Sequence, residues 1–361
     1  MLFRSEAGIV EASLLLLVFL ILAWRITIEW LHRAYVKGER ILLVGSGRGV
    51  ESIAREVALR PDLRISVIGA VNEPDGLALS SLFTIATLGC IDDLETLVHE
   101  AMPDRLVIAL RERRQSLPVQ LLLKLRLKGV KIEEASDLYE KITGKIPVES
   151  VRPSSLIFSD GFRYSRWRTL YGPFAGMIAS SVLLVLLAPL LALVAIAIKL
   201  ESAGPIIYRQ LRVGLNGRTF EILKFRSMTT DAEANSGPVW AKQDDPRITR
   251  VGRFLRRTRL DELPQFFNVL SGQMSFVGPR PERPHFVRTL SEDIPLYELR
   301  HAVRPGITGW AQVCCDYGAS VEEAKEKLEY DLFYIKNFCL SLDLLILFKT
   351  IKIVVFGRGA R

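Results

Sequence analysis

FAGMIASSVLLVLLAPLLALVAIAI, residues 174–198, runs for 25 positions without a charge and carries one proline, Pro189, in its second half. As a helix rising ~1.5 Å per residue, it is long enough to cross the ~30 Å hydrocarbon core of a bilayer. Its flanks argue against a simple crossing. Arg163, Arg166 and Arg168 precede it and Lys199, Arg209, Arg212 and Arg218 follow it, so both ends favour the cytoplasmic face. Pro189 has no N–H to donate and crowds the preceding turn, which bends or breaks a helix near that point. The expected structure is a re-entrant helix that enters and leaves on one face. The alternative is an ordinary spanning helix with a proline kink.

A second apolar run lies upstream. Residues 12–24 are uncharged, and residues 26–31 continue the run past Arg25, giving about the ~20 residues a spanning helix needs. Glu6, Glu11 and the lack of a small-residue cleavage site speak against a secretory signal. Arg25, His32, Arg33, Lys37 and Arg40 follow the run, which places the rest of the chain in the cytoplasm.

Between the two apolar runs the pattern changes. ILLVGSGRGVESIAREVAL, residues 41–59, reads as a buried strand, a glycine turn and a helix with apolar positions at Val50, Ile53, Ala54 and Val57. Residues 64–71 and 105–110 read as further strands, and residues 91–99 and 119–127 as helices, an alternation that predicts a doubly wound α/β domain. Gly45 and Gly47 stand where a dinucleotide fingerprint needs its first two glycines. The third position is Val50, with Gly49 one residue early. Glu73, near the end of the second strand, suits a ribose hydroxyl. The readings left open are a bound nucleotide at Gly45 and Gly47 or a degenerate structural or regulatory domain. Residues 147–172, with Pro153, Ser154 and Ser155, read as a linker to the membrane surface.

The chain has 361 residues, 48 Lys and Arg against 40 Asp and Glu, and 49% hydrophobic residues. That length accommodates two or three domains, and the positive balance leaves headgroups, phosphorylated substrates and nucleic acid open as partners. The four cysteines have neither CxxC spacing nor a histidine cluster, so neither a zinc site nor a disulfide framework is indicated. A reducing cytosol fits.

After the long apolar helix, residues 206–228 read as a hairpin, because Asn216-Gly217 favours a type I′ turn. A period of two puts Gln210 with Arg212 on one strand face and Lys224 with Arg226 on another; the bland reading is solvated edge charges. Arg247, Arg250, Arg253 and Arg256 recur every three residues and on a helix would form a drifting basic face. With no groove-reading module beside it, nucleic acid is not an expected partner; headgroups and a phosphorylated substrate are. Asp261 and Glu262 come next, ahead of Leu263-Pro264. One reading makes Asp261 a helix N-cap and Glu262 a first-turn acid. The other makes them an active site, with a helix N-terminus and arginines keeping a carboxylate ionised as nucleophile or metal ligand.

QLRVGLNGRTFEILKFRSM (210–228), LDELPQFFNVLSGQMSFVGPRPE (260–282) and RPGITGWAQV (304–313) resemble, in the correct order, motifs of one family. It is the bacterial sugar transferases that start exopolysaccharide and lipid-linked glycan assembly, the monotopic polyprenyl-phosphate phosphoglycosyl transferases. The resemblance covers residues 172–361. A membrane helix leading into a Rossmann-like domain is similar to the larger exopolysaccharide- and PEP-CTERM-associated members. Those usually carry several N-terminal helices, so this sequence reads as a fragment or a shortened form.

The resemblance implies transfer of a sugar-1-phosphate from a UDP-sugar to undecaprenyl phosphate. Asp261 would be the nucleophile that forms a phosphosugar-aspartyl intermediate, and Glu262 would help hold Mg²⁺. Arg280, between Pro279 and Pro281, would contact phosphate or nucleotide, while Lys224, Arg226, Arg256 and Arg257 would serve as electrostatic helpers. The family commonly has Ser-Pro at the helix break where this sequence has Ala188-Pro189, so the hydroxyl that could bond a freed carbonyl is missing. Residues 340–356, apolar with interspersed charges, suit an interfacial helix or a core helix.

The fold class expected is therefore an α/β membrane protein. An N-terminal membrane helix and juxtamembrane segment (1–40) precede a Rossmann-like domain (41–146), a linker (147–172) and an α+β catalytic domain (173–361) with its re-entrant helix at 174–198. The expected location is the bacterial inner membrane, with the catalytic domain facing the cytoplasm, bound to membrane lipids and compatible with a homo-oligomer. Two alternatives stand beside this reading: a non-catalytic scaffold of polysaccharide assembly, and a nucleotide-sugar oxidoreductase using the Rossmann-like domain.

Overall fold

A computed structural model describes residues 38–73, 85–110, 118–148, 161–162, 166–229, 245, 247–315 and 320–356, with scattered positions between 16 and 30. Half of the N-terminal apolar run, Arg163 and most of the 147–172 linker lie outside the described residues. The chain divides into two compact units, Met1–Ile142 and Thr143–Arg361.

The first unit is built from β1 (Glu39–Val44), α1 (Arg48–Leu59), β2 (Ile65–Asn72), β3 (Thr87–Cys90), α2 (Leu94–Ala101), β4 (Arg105–Ile108), α3 (Val119–Leu127), β5 (Lys131–Glu134) and α4 (Ala135–Thr143). Its five strands form one sheet in the order 3-2-1-4-5, with every neighbouring pair parallel. Central β1 explains its own composition. Ile41 and Leu43 pack with Val50 and Ile53 of α1 and Leu138 of α4, while Leu42 and Val44 pack with Leu94 of α2 and Leu122 and Leu125 of α3. A strand buried on both faces needs a continuous apolar run rather than an alternating one. The expected strands and helices all appear, the helix at 91–99 starting as a 3₁₀ turn, Ile91–Asp93. β3 and β5 are additional: both are short edge strands, and β5, Lys-Ile-Glu-Glu, has almost no apolar signal.

The second unit begins with α5 (Arg166–Glu201), one 36-residue helix that runs through Pro173 and Pro189. Its stretch Gly172–Glu201 is long and apolar enough to cross a membrane, by length and composition. Both ends of α5 pack on the same unit. A side chain at Gly176 would touch Val269 and Phe276, and Val194 and Ile198 are buried with Phe225 and Leu255. Val182, Val185 and Leu186, midway along, are exposed.

The hairpin follows as β6 (Ile207–Val213) and β7 (Thr219–Phe225), antiparallel with Val213 opposite Thr219. Asn216 and Gly217 both take positive φ, 53° and 75°, and the Arg218 N–H donates to the Leu215 carbonyl (3.2 Å), as a type I′ turn requires. α6 (Arg250–Thr258) is capped by Thr249, whose Oγ1 accepts from the Gly252 N–H (2.9 Å). Arg247 falls outside that helix and forks onto Asp245 instead, so the basic face is one residue shorter than the spacing implied.

The 3₁₀ turn Leu260–Glu262 leads into α7 (Gln265–Leu270), then β8 (Ser275–Val277), α8 (Pro284–Asp293), β9 (Gly306–Thr308), α9 (Trp310–Cys314), α10 (Val321–Lys336) and α11 (Leu340–Phe356). One reading of the sequence is corrected here. Asp261 is not a helix N-cap: α7 starts four residues later, with Pro264 at its cap position and no side-chain cap bond. α11 reconciles two alternatives by presenting two apolar faces. Ile346 is fully buried in the main core with Leu328, Leu332 and Tyr334, while Leu344, Phe348 and Ile351 are exposed.

Candidate active site

Three segments distant in sequence meet around Glu262. β7 brings Lys224, the 3₁₀ turn brings Asp261 and Glu262, and the loop after β8 brings Arg280. Lys224 Nζ donates to Glu262 Oε1 at 3.0 Å and Arg280 Nη2 donates to the same oxygen at 2.7 Å. The loop is placed by close backbone contact. A Cβ on Gly278 would lie 2.4 Å from the Arg304 carbonyl oxygen, and one on Gly306 would lie 2.1 Å from the Gly278 nitrogen. Only glycine permits that approach, so the 275–282 and 304–309 stretches lock together and fix where Arg280 starts.

The two neighbouring acids are treated in opposite ways. Asp261 is 9% exposed, and its Oδ1 is buried with no hydrogen-bond partner. Burial, then the negative charge of Glu262, pushes its carboxyl up to about 6, against the pull of Lys224, Arg280 and Arg259. Burial would also raise Glu262, but Arg280 and Lys224 more than cancel it and hold that carboxyl well below the usual range. Lys224 is itself lowered, by burial first, with Glu262 opposing. Nearby cations do pull Asp261 down, but they bond to Glu262, so Asp261 is ionised at neutral pH with its carboxyl raised above, not held below, its ordinary value.

The remaining predicted residues divide. Arg226 is buried and faces the C-terminal end of α5. Its guanidinium donates to the carbonyls of Ser202 (2.7 Å) and Ala203 (2.9 Å) and to Ser202 Oγ (2.8 Å), satisfying acceptors that a helix C-terminus leaves open. This corrects its assignment to phosphate. Arg256 and Arg257 lie in the last turn of α6, where Arg257 is exposed and Arg256 acts electrostatically on Asp245. Pro189 sits inside α5, and Gly45 and Gly47 belong to the first unit.

The cation that sequence reasoning passed over is Arg259. It starts the 3₁₀ turn in the left-handed region (φ 59°), where glycine is the usual occupant, and its charge lowers both Asp261 and Glu262. Its place two residues before Asp261 was the signal the sequence offered. Behind Arg280 lies a small pocket lined in part by Pro281, Arg300 and His301. His301 is held neutral at ordinary pH, pushed down to about 4 by burial and by Arg300.

Among the described residues no three His, Cys, Asp or Glu side chains come together as a metal cage. Two adjacent carboxylates do, and one presents an orphaned buried oxygen. Mg²⁺ is commonly held by one or two carboxylates with water and substrate phosphates completing its shell, so Asp261 and Glu262 fit that ion better than one needing an all-protein cage.

A sequence model of the bacterial sugar transferases matches residues 167–357. The chain belongs to the bacterial sugar transferase family. It is 42% identical over 247 residues to a UDP-N-acetylgalactosamine-undecaprenyl-phosphate N-acetylgalactosaminephosphotransferase of Aeromonas hydrophila, covering 67% of this chain and 56% of that protein. It is 35% identical over 327 residues to an undecaprenyl-phosphate glucose phosphotransferase of Komagataeibacter xylinus, covering 89% of this chain and 60% of the relative. An exopolysaccharide production protein of Rhizobium leguminosarum is 44% identical over 46% of this chain and 86% of its own length. The chain thus spans a little over half the length of the first two relatives.

Proposed function

We propose that this sugar transferase is a membrane-embedded phosphoglycosyl transferase, moving a sugar-1-phosphate from a UDP-sugar to undecaprenyl phosphate. The observation that carries the reading is the asymmetric pair: a buried, unpartnered Asp261 beside a Glu262 neutralised by Lys224 and Arg280. A carboxylate with a free lone pair and a pKa near 6 is ionised at neutral pH yet poorly stabilised, which suits a nucleophile. In the first step Asp261 attacks the phosphorus bearing the sugar, the bond to UMP breaks, and an aspartyl phosphosugar forms. In the second step the undecaprenyl phosphate oxygen attacks the same phosphorus and the acyl phosphate bond breaks, restoring Asp261. Lys224 uses one of its three donor hydrogens on Glu262, leaving others for diphosphate oxygens. Glu262 would help hold Mg²⁺, which supplies charge neutralisation to the diphosphate when bound, leaving the Asp261 oxygen for the attack.

The topology proposed is re-entrant. A straight helix would separate residues 176 and 198 by about 33 Å, and both ends of α5 pack on one unit while exposed apolar side chains run along its length from Phe174 to Leu200. Entry and exit on one face agree with that packing and keep the catalytic unit on the cytoplasmic side of the inner membrane, where nucleotide sugars reside. We read the first unit as Rossmann-like, from its 3-2-1-4-5 parallel order, with a structural or regulatory role. The scaffold and oxidoreductase alternatives are less favoured, since relatives aligned across both units carry sugar phosphotransferase names.

The test is UMP release, measured with undecaprenyl phosphate across a panel of UDP-sugars that includes N-acetylgalactosamine and glucose. Transfer by the wild type with at least one sugar is the expected result; no release from any sugar rejects the reading.

A further inference from the structure

Arg280 is held through its main chain as well as through its charge. Two of the four residues 279–282 are prolines, so the loop has few N–H groups to offer, and it is anchored through its carbonyls instead. The Gly306 N–H donates to the Pro279 carbonyl (3.0 Å) and the Val213 N–H to that of Glu282 (2.9 Å). Between them, Arg300 Nη2 donates to the Arg280 carbonyl (3.0 Å) and Arg212 Nη1 to that of Pro281 (3.0 Å). Four consecutive carbonyls meet four separate donors.

Arg300 is the least expected of these donors. It is 6% exposed, and its Nη2 also donates to Asp331 Oδ2 at 2.9 Å, while Nη1 donates to the Tyr297 hydroxyl. Asp331 and Tyr297 are 1% and 2% exposed. A buried ion pair is rarely a stability gain over apolar packing of the same volume, which raises the question of what this one does. Among the described residues, its hydrogen bond beyond Tyr297 and Asp331 goes to the backbone of the residue whose guanidinium bonds Glu262.

We infer that the buried pair Arg300–Asp331 is a positioning device for Arg280. Asp331 and Tyr297 orient the Arg300 guanidinium, Arg300 fixes the Arg280 carbonyl, and the Arg280 side chain is thereby aimed at Glu262 and at the diphosphate. Arg300 acts through Arg280 and does not itself touch the reacting atoms. The inference rests on the transferase reading above.

The experiment uses the full chain in detergent and a double-mutant cycle. Arg300→Lys keeps the charge but cannot make three forked contacts, and is expected to lower kcat/KM for UMP release on the order of 10²-fold, as a displacement of about 1 Å would. Asp331→Asn, which keeps the shape, is expected to fall in the same direction. In an Arg280→Lys background, Arg300→Lys should cost less than about threefold, because the group it positions is already gone. Hydrogen exchange of peptides covering residues 275–283 should speed up in Arg300→Lys while α10 stays protected. Losses that multiply in the double variant, or a fall that tracks unfolding of α10, overturn the inference and leave the transferase reading intact. If the wild type releases no UMP, that reading fails instead, and the exchange data alone decide: unchanged protection of 275–283 rejects the positioning role.

Discussion

The two units use the same backbone device to different ends. In the first, the loop after β1 turns on Gly45 (φ 132°), whose ideal Cβ would lie 2.6 Å from the Ala109 backbone just beyond β4. In the second, the loop after β8 turns on Gly278, which passes equally close to Arg304 and Gly306. Both glycines let a loop cross a neighbouring strand at contact distance. The residues beyond them differ. After Gly45 come a buried Ser46 and Gly47, which faces open space at the start of α1. After Gly278 comes Arg280, on a loop anchored at four carbonyls and paired with a half-buried acid that has a buried second acid beside it. A glycine turn is therefore poor evidence of chemistry by itself. Buried charges with shifted titration are the stronger sign.

The sharpest way to break the comparison is to remove the nucleophile. Asp261→Asn is expected to lower UMP release by about 10⁴-fold or more and to abolish covalent labelling by a UDP-sugar radiolabelled in the sugar when no acceptor is present. Near wild-type transfer by this variant would move the nucleophile elsewhere. Glu262→Gln should cost less, on the order of 10² to 10³ in rate, because it leaves Lys224 and Arg280 without their counter-charge but keeps Asp261. A Glu262→Gln enzyme that still forms the covalent intermediate, only slowly, would separate the two roles.

The same pair makes a stability prediction with a defined sign. Folding raises Asp261 from its ordinary value to about 6, so the folded state binds the extra proton between roughly pH 4 and 6, and stability falls as pH rises through that window. Above it the wild type carries the full cost of an ionised, unpartnered carboxylate. Asp261→Asn should therefore melt higher than wild type at roughly pH 7.5, and the gap should close as pH falls from about 6 to about 4. A gap that widens on acidification would mean Asp261 is better paired than its geometry indicates.

The strands and helices of the first unit were legible because burial on both sheet faces writes itself as apolar runs such as 41–44. β5 was not, because an edge strand of Lys-Ile-Glu-Glu has no apolar face to detect. In the second unit the motifs 260–282 and 304–313 announced a site, and the structure brings Lys224, Glu262 and Arg280 into one cluster with Asp261 adjoining it. The division of labour was hidden. Nothing in the spacing says that both cations fall on Glu262 Oε1 or that Arg226 serves the end of α5, since those depend on which rotamers the packed core leaves free. Arg300 and Asp331 stand 31 positions apart, and their pairing arises only when the 3₁₀ turn at 297–302 packs on α10.

The smallest effects test whether the first loop is purely architectural. Gly45→Ala should destabilise the first unit by about 3 kcal/mol, since the position is both left-handed and in contact with backbone. Gly47→Ala has space for its methyl group and only its backbone conformation (φ 81°, ψ −157°) to resist it, a cost of about 1 to 3 kcal/mol in a region essentially restricted to glycine. Hydrogen exchange in β1 and β4 would report both changes. Because Gly47→Ala leaves the sheet folded, UMP release and the KM for UDP-sugar should stay within about twofold of wild type, the usual range for a substitution remote from a site. A tenfold rise in KM for this variant would give the first loop a part in binding nucleotide and would erase the contrast with the loop at Gly278.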